Sequence, residues 1–481
     1  LFGPIDVGLH RRIDDPTRVY PEVNRVAKSI NHGERSASRM ILCPVYVDIL
    51  TQGFASLNEL SREAHVVRNS PFEIGGTVFV FWYASGLLVV VAVWFGFGQV
   101  KLEPAHPGSD MRPDLLSSFA SWDGFWYVKI SSTGYDWNAT QMSSAAYFPA
   151  YPLLGSLVRS IMACRTEFAL LIVSHAALLG CFVLLWVYVG DRFVGSSDLG
   201  DYSLAALALF PTTFWMRMCY TESLFLFVVL LAMLGMQREW KPLRVALVIG
   251  FATATRSAGV ALLPVFWWWL WGRPPACQRD QGRLEAYPTW RYAALQGAVL
   301  LPVCVWGLLA YMTFLYVSFG EPLAFMQTQH HWDERSIAGL GDKVWKLITL
   351  EPFWAVYLPS SPCYWGRVPP HDNPLFNLKF WNPIYVLLTI GLVILGALRR
   401  WLNGREVLLA VGLLAIPLWF QATRSCMMSQ ARYASVIFPV YIVMGQILTR
   451  LPGPLVGMLC AISGLMLGVY SALFVSWYWF Y

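Results

Sequence analysis

Asp123 sits among aromatic residues in "SFASWDGFWYVKISSTGYDW" (118–137), a stretch too polar to cross a bilayer and rich in tryptophan. Partial desolvation by such neighbours raises a carboxylate's pKa and suits it to take a proton from a hydroxyl. Trp122 precedes the acid, and Lys129 follows it closely enough to offer a plain salt bridge instead. A few other ionisable residues interrupt apolar sequence. Glu222 opens an apolar run in "CYTESLF" (219–225), where the helix dipole favours an acid by roughly 0.3–1 kcal/mol, and Arg217 just before it is a candidate partner. Arg256 breaks the apolar segment 243–271, a position costing an arginine at least ~2.5 kcal/mol unless it serves an anion. Arg432, in "SQARYASVIFPV", is placed either to meet a phosphate or to snorkel to the interface. His330 and His331, in "QTQHHWDERS" (327–336), suit a phosphate or a metal, but no third metal ligand is identifiable. A base, together with cations that stabilise a departing phosphate, is the equipment for group transfer from a phosphorylated donor.

These residues need elements to position them. The 481-residue chain is 56% hydrophobic and 13% charged, against about 25% charged in soluble domains. Apolar runs of roughly 20 residues recur, the length that crosses a hydrocarbon core. The expected fold class is therefore all-α, a polytopic integral membrane protein with about ten or eleven spanning segments. The runs fall at 77–98, 168–190, 201–218, 221–237, 293–318, 380–398, 406–423, 434–449 and 453–478, with 243–271 reading as two short helices turning near Arg256. His175 reads as a helix-packing histidine. Residues 113–131 read as one interfacial helix with Leu115, Phe119, Trp122, Trp126 and Ile130 in a stripe and Asp123 at its border. "AAYFPAYPLLGSLV" (145–158) leads into the next span, its prolines suited to helix starts. The nine cysteines are isolated, with neither C-x-x-C nor His at ligand spacing, so they read as packing residues rather than a disulfide framework or zinc site.

Residues 1–74 form a polar extension without a signal-peptide pattern, and the chain opens on Leu1 rather than Met; this part is expected to be cytoplasmic and outside the membrane domain of 75–481. Loop Lys/Arg residues at 238–244, 272–291 and 399–406 share one side if 243–271 is a hairpin. That orientation puts the loops 99–167 and 319–379, and the turns 216–223 and 423–433, on the opposite, extracytoplasmic side. The scattered basic residues form no nucleic-acid patch. Phosphate-binding and dinucleotide motifs are absent, as is D-x-D, so an activated sugar would have to arrive from the membrane.

"WDGFWYVKISSTGYDW", "AAYFPAYPLL", "FPTTFWMRMCYTESLFLFVVLLAMLGM", "GFATATRSAGVALLPV", "GEPLAFMQTQHHW" and "ARYASVIFPVY", in this order, resemble the PIG-V family, the GPI mannosyltransferase 2-like proteins and their bacterial relatives within the GT-C superfamily. The resemblance spans about 77–450 and implies a GT-C fold whose first extracytoplasmic loop carries the catalytic acid, here Asp123. It implies a dolichyl- or polyprenyl-phosphate mannose donor and an inverting transfer to a hydroxyl of a glycolipid or glycan acceptor; with the lipid-phosphate sugar itself as donor substrate, no cofactor is expected. The family's Ser/Thr-Glu-Ser turn maps onto Thr221-Glu222-Ser223, its Thr-Arg break onto Thr255-Arg256, and its Gln-x-x-Trp loop onto Gln329 to Trp332. The short loops look more like the bacterial members, implying a plasma membrane there and the endoplasmic reticulum in a eukaryote. The rival reading is a flippase for lipid-linked saccharides. Transporters carry internal repeats and midspan acids, whereas no clear repeat is visible here and the acids gather at loop edges.

Overall fold

The computed structural model describes residues 71–102, 114–194, 196–272, 289–368 and 373–478. The extension 1–74 lies outside these apart from the helical start at Pro71, as do Cys43, Cys277 and most of the basic loop 272–291.

All secondary structure among the described residues is helical. The first apolar run is α1 (Pro71–Gln99), and the loop after it builds α2 (Leu115–Ser118), α3 (Asp123–Thr133) and α4 (Ala150–Met162). Then come α5 (Thr166–Arg192), α6 (Ser197–Leu209), α7 (Glu222–Gln237), α8 (Pro242–Thr255), α9 (Leu262–Trp271), α10 (Thr289–Cys304) and α11 (Trp306–Phe319). The second long loop carries α12 (Ala324–Gln327), α13 (Leu340–Ile348) and α14 (Glu351–Ala355). It is followed by α15 (Leu378–Leu398), α16 (Gly404–Pro417), α17 (Gln430–Ser435), α18 (Pro439–Leu448) and α19 (Gly453–Val475).

Every apolar segment read from the sequence is helical, and the protein is a multi-pass membrane protein. Among the described residues, 5 helices are able by length and composition to cross a bilayer, or 7 if each of two bent pairs is one span. Prolines account for much of the difference from the expected count. The segment 201–218 is no continuous span: Pro211 cannot donate to a helical ladder, so α6 ends and a 3-10 turn, Pro211–Arg217, meets α7 at 98°. The segment 293–318 bends by 44° between α10 and α11, next to Pro302. The run 434–449 is divided between α17 and α18, with Pro439 opening the latter.

At Arg256 the chain turns back, in keeping with two short helices. Arg256 is extended (φ −155), and a Cβ on Gly259 would lie 2.7 Å from the backbone of Ala252, seven positions earlier. In a continuous helix those residues would be about 10 Å apart. Small residues let other helices approach closely. A Cβ on Gly307 of α11 would come within 2.5 Å of the Ala254 nitrogen in α8, and one on Gly96 of α1 within 2.6 Å of Ala472 Cα in α19.

The two long loops and the turns at 218–221 and 423–429 meet at one end of the bundle. Cys219 N donates to Phe119 O at 3.0 Å, Ser143 Oγ lies 3.0 Å from Thr328 Oγ1, and Glu334 N donates to Arg424 O at 3.1 Å. At the other end Arg238 pairs with Asp191 at 2.7 Å, and Glu406 accepts from Tyr188 at 2.7 Å and pairs with Arg192.

The cysteine reading needs correction: Cys363, in the second loop, forms a disulfide with Cys426, in the turn before α17. Their separation of 63 residues leaves no local pattern from which the pairing could be read.

Candidate active site

The interfacial-helix reading of 113–131 is also corrected. The helix breaks after α2 and restarts at Asp123, because Trp122 adopts a left-handed backbone (φ 59). The break turns Phe119 and Ile130 of the supposed lipid-facing stripe inward, while Leu115 at its start stays exposed, as does Phe125 outside it. It also makes Asp123 the first residue of α3, where the helix dipole favours negative charge. Trp122 itself packs its ring 5.2 Å from that of Trp477.

Asp123 is bound on both oxygens. Oδ1 accepts from the Tyr147 hydroxyl at 2.8 Å, and Oδ2 accepts from Arg432 Nη1 at 2.5 Å. The Nε of the same guanidinium donates to Glu222 Oε1, which also accepts from Arg256 Nη1 at 2.5 Å. Arg432 therefore bridges two carboxylates, and Glu222 bridges two guanidinia. Glu222 is fully buried, and its second oxygen, Oε2, has no hydrogen-bond partner among the described residues. Aromatic faces line the cations: the Arg432 guanidinium lies 4.7 Å from the Tyr220 ring and 5.5 Å from Trp215, and that of Arg256 5.0 Å from Tyr433. Such contacts are electrostatically favourable where the cation is desolvated.

Each side chain arrives from a different element. Asp123 and Glu222 open α3 and α7, Arg256 stands at the break after α8, and Arg432 lies on α17. Tyr147 comes from the stretch before α4, where its ring stacks on Trp126 at 5.9 Å and meets the edge of Trp332 at 6.2 Å. The second loop thus sets Trp332 against the Tyr147 ring whose hydroxyl reaches the acid of the first.

Four of the residues singled out from sequence converge here: Asp123, Glu222, Arg256 and Arg432. The others do not. Lys129 does not pair with Asp123 but with Asp136, at 2.8 Å. Burial would raise the Asp136 carboxyl, but the Lys129 and Ser144 hydrogen bonds outweigh it and hold it below its ordinary value. Arg217 does not pair with Glu222. It points to the opposite side of its 3-10 turn, donating to Trp82 O at 2.5 Å and Ser85 Oγ at 2.6 Å, with His175 Nδ1 3.4 Å away. His330 contacts Asp333 at 3.3 Å and Arg424 at 2.5 Å, and His331 Nε2 lies 3.1 Å from Ala139 O. Among the described residues no three His, Cys, Asp or Glu side chains gather as metal ligands.

Sequence reasoning missed Tyr147, Tyr220 and Tyr433. Tyr147 stood inside the quoted "AAYFPAYP" motif, but an unbroken apolar–aromatic run carries no mark of which ring reaches a carboxylate.

No family model matches the chain, and no curated protein does. Among solved structures it is similar to the Archaeoglobus fulgidus oligosaccharyltransferase. The apo form matches at 14% identity and TM-score 0.39, covering 82% of this chain and 56% of that one. The complex with an inhibitory peptide and a dolichol-phosphate matches at 12% identity and TM-score 0.40, covering 83% and 56%. This chain thus spans little more than half the length of that enzyme. The likeness is coarse, and the chemistry of the site rests on its own residues.

Proposed function

We propose that the protein is a GT-C-type membrane glycosyltransferase that moves a hexose, mannose in the PIG-V-like reading, from a dolichyl- or polyprenyl-phosphate sugar to an acceptor hydroxyl. The observation that carries this reading is the Asp123 carboxylate, held by Tyr147 and Arg432 beside a second, fully buried acid–guanidinium pair. An acid and two guanidinia at one end of a membrane bundle match the demands of this transfer. The acceptor hydroxyl gives its proton to Asp123 as its oxygen attacks the anomeric carbon. The bond from that carbon to the phosphate oxygen breaks, and the lipid phosphate leaves with the electron pair, with inversion. Arg432 and Arg256 are the cations available to stabilise it. In the structure Arg432 is engaged by both acids, so an incoming phosphate competes with Asp123 for the guanidinium, and its binding frees the carboxylate to act as base.

Two features support an extracytoplasmic site. The basic residues Arg238, Lys241, Arg244, Arg399, Arg400 and Arg405 belong to the opposite end of the bundle, as the positive-inside rule expects of the cytoplasmic side. The Cys363–Cys426 disulfide lies at the site end, and disulfides persist in oxidising compartments.

The test is transfer from polyprenyl-phosphate mannose in proteoliposomes by an Asp123→Asn variant. Loss of general-base catalysis lowers the rate by about 10²–10⁴-fold while the variant inserts and elutes as a folded species. Wild-type turnover by folded Asp123→Asn removes the acid from this role. Translocation of the lipid without sugar transfer by the unaltered protein replaces the reading with a flippase.

A further inference from the structure

Helix α13, in the second long loop, is amphipathic in the inverse sense to a water-facing helix. At 3.6 residues per turn, Leu340, Val344 and Ile348 share one face, with Trp345 beside them. Asp342, Lys343 and Lys346 occupy the other. The apolar face is the one turned outward: Leu340, Trp345 and Ile348 are 67%, 66% and 70% exposed. On the polar face the Lys346–Asp342 pair, 2.5 Å apart, has side-chain exposures of 21% and 30%. Beyond α13 the exposed surface continues through Leu350, Trp354 and Leu358. In water this arrangement would desolvate charges while wetting two tryptophans and several aliphatic chains, and patches of this kind mark an interaction surface.

What covers the patch is indicated by its neighbours. The Lys343 ammonium lies 4.9 Å from the Trp419 ring and 5.6 Å from Phe420. Both aromatics are exposed at the end of the candidate span Gly404–Ala422. Through Lys343 on its polar face α13 thus rests against the exposed aromatics at the rim of a membrane helix, with its apolar face left outward at a depth where tryptophan is favoured and amphipathic helices lie flat. Firm ties hold it there. Arg335 grips Glu351 of α14 through two bonds of 2.7 Å, and the disulfide fastens the same loop to the turn before α17.

We propose that α13 and α14 form an in-plane membrane anchor, with Leu340, Trp345, Ile348, Leu350 and Trp354 set into the boundary between lipid headgroups and acyl chains. The partner is the bilayer surface, and the inference stands whether or not the transferase reading does.

The test places p-benzoylphenylalanine, one site at a time, at Ile348, at Lys346 on the opposite face, and at Phe420 as the lipid-facing reference. Each protein is irradiated in phosphatidylcholine nanodiscs, and adducts are mapped by mass spectrometry. The expected result is a lipid adduct at 348 in yield comparable with that at 420, and its loss at 346. A cross-link from 348 to a second protein chain would assign the face to oligomer contact instead. Lipid adducts at 420 without any at 348 would mean that the helix stands clear of the membrane. Either outcome overturns the proposal.

Discussion

Replacing Arg432 by Gln removes a cation that touches two acids at once. The cluster then holds Asp123, Glu222 and Arg256, with one negative charge uncompensated in a site where Glu222 is fully buried and Asp123 nearly so. Breaking a buried pair by deleting one partner costs about 3–5 kcal/mol, because the remaining charge cannot be rehydrated. Adding Asp123→Asn restores neutrality and leaves Glu222 with Arg256. The double variant should therefore be more stable than Arg432→Gln alone, which requires a coupling larger than the cost of Asp123→Asn by itself, about 3 kcal/mol or more. Asp123→Asn by itself keeps Arg432 on Glu222 but leaves one of the two guanidinia uncompensated, so it too costs about 3–5 kcal/mol. The assay is denaturant unfolding in mild detergent, followed by tryptophan fluorescence, for the parent, both single variants and the double. If Arg432→Gln unfolds with the parent, or if the second substitution adds its full single-variant cost, the acids and guanidinia do not form one electrostatic unit and the reasoning fails.

Cys363→Ser should lower stability by up to about 4 kcal/mol, the chain-entropy value for a loop of this length; peptide mapping under non-reducing conditions should recover the 363–426 pair. Alkylation of both thiols without a reductant would contradict the bond. Gly307→Ala at the α8–α11 crossing should destabilise by about 1–3 kcal/mol, since the added methyl meets the backbone nitrogen of Ala254 rather than a movable side chain. An unchanged unfolding midpoint for that variant would show that the two helices do not cross this closely.

Much of the architecture was legible because it is written in local composition. Apolar runs of spanning length need no partner to be recognised, and lipid demands that their backbones be helical. The break at Arg256 showed for the same reason: an arginine, a nearby glycine and an apolar surround sit within a few residues. The gathering of the polar loops at one end followed from the loop Lys/Arg residues taken together with a hairpin at 243–271.

Tertiary structure alone decided how those parts meet. Asp123 and Arg432 lie 309 positions apart, and Glu222 and Arg432 lie 210 apart, so their pairing leaves no periodic trace. Along one 3-10 turn, Trp215 faces Arg432 while Arg217 reaches Trp82 and Ser85; nothing in residue type separates two neighbours that face opposite ways. The left-handed Trp122 and the Cys363–Cys426 bond are likewise set by what packs around them. Local pattern specifies which segments enter the membrane, whereas the partner of each buried charge depends on how independent helices dock, and that is a property of the whole bundle.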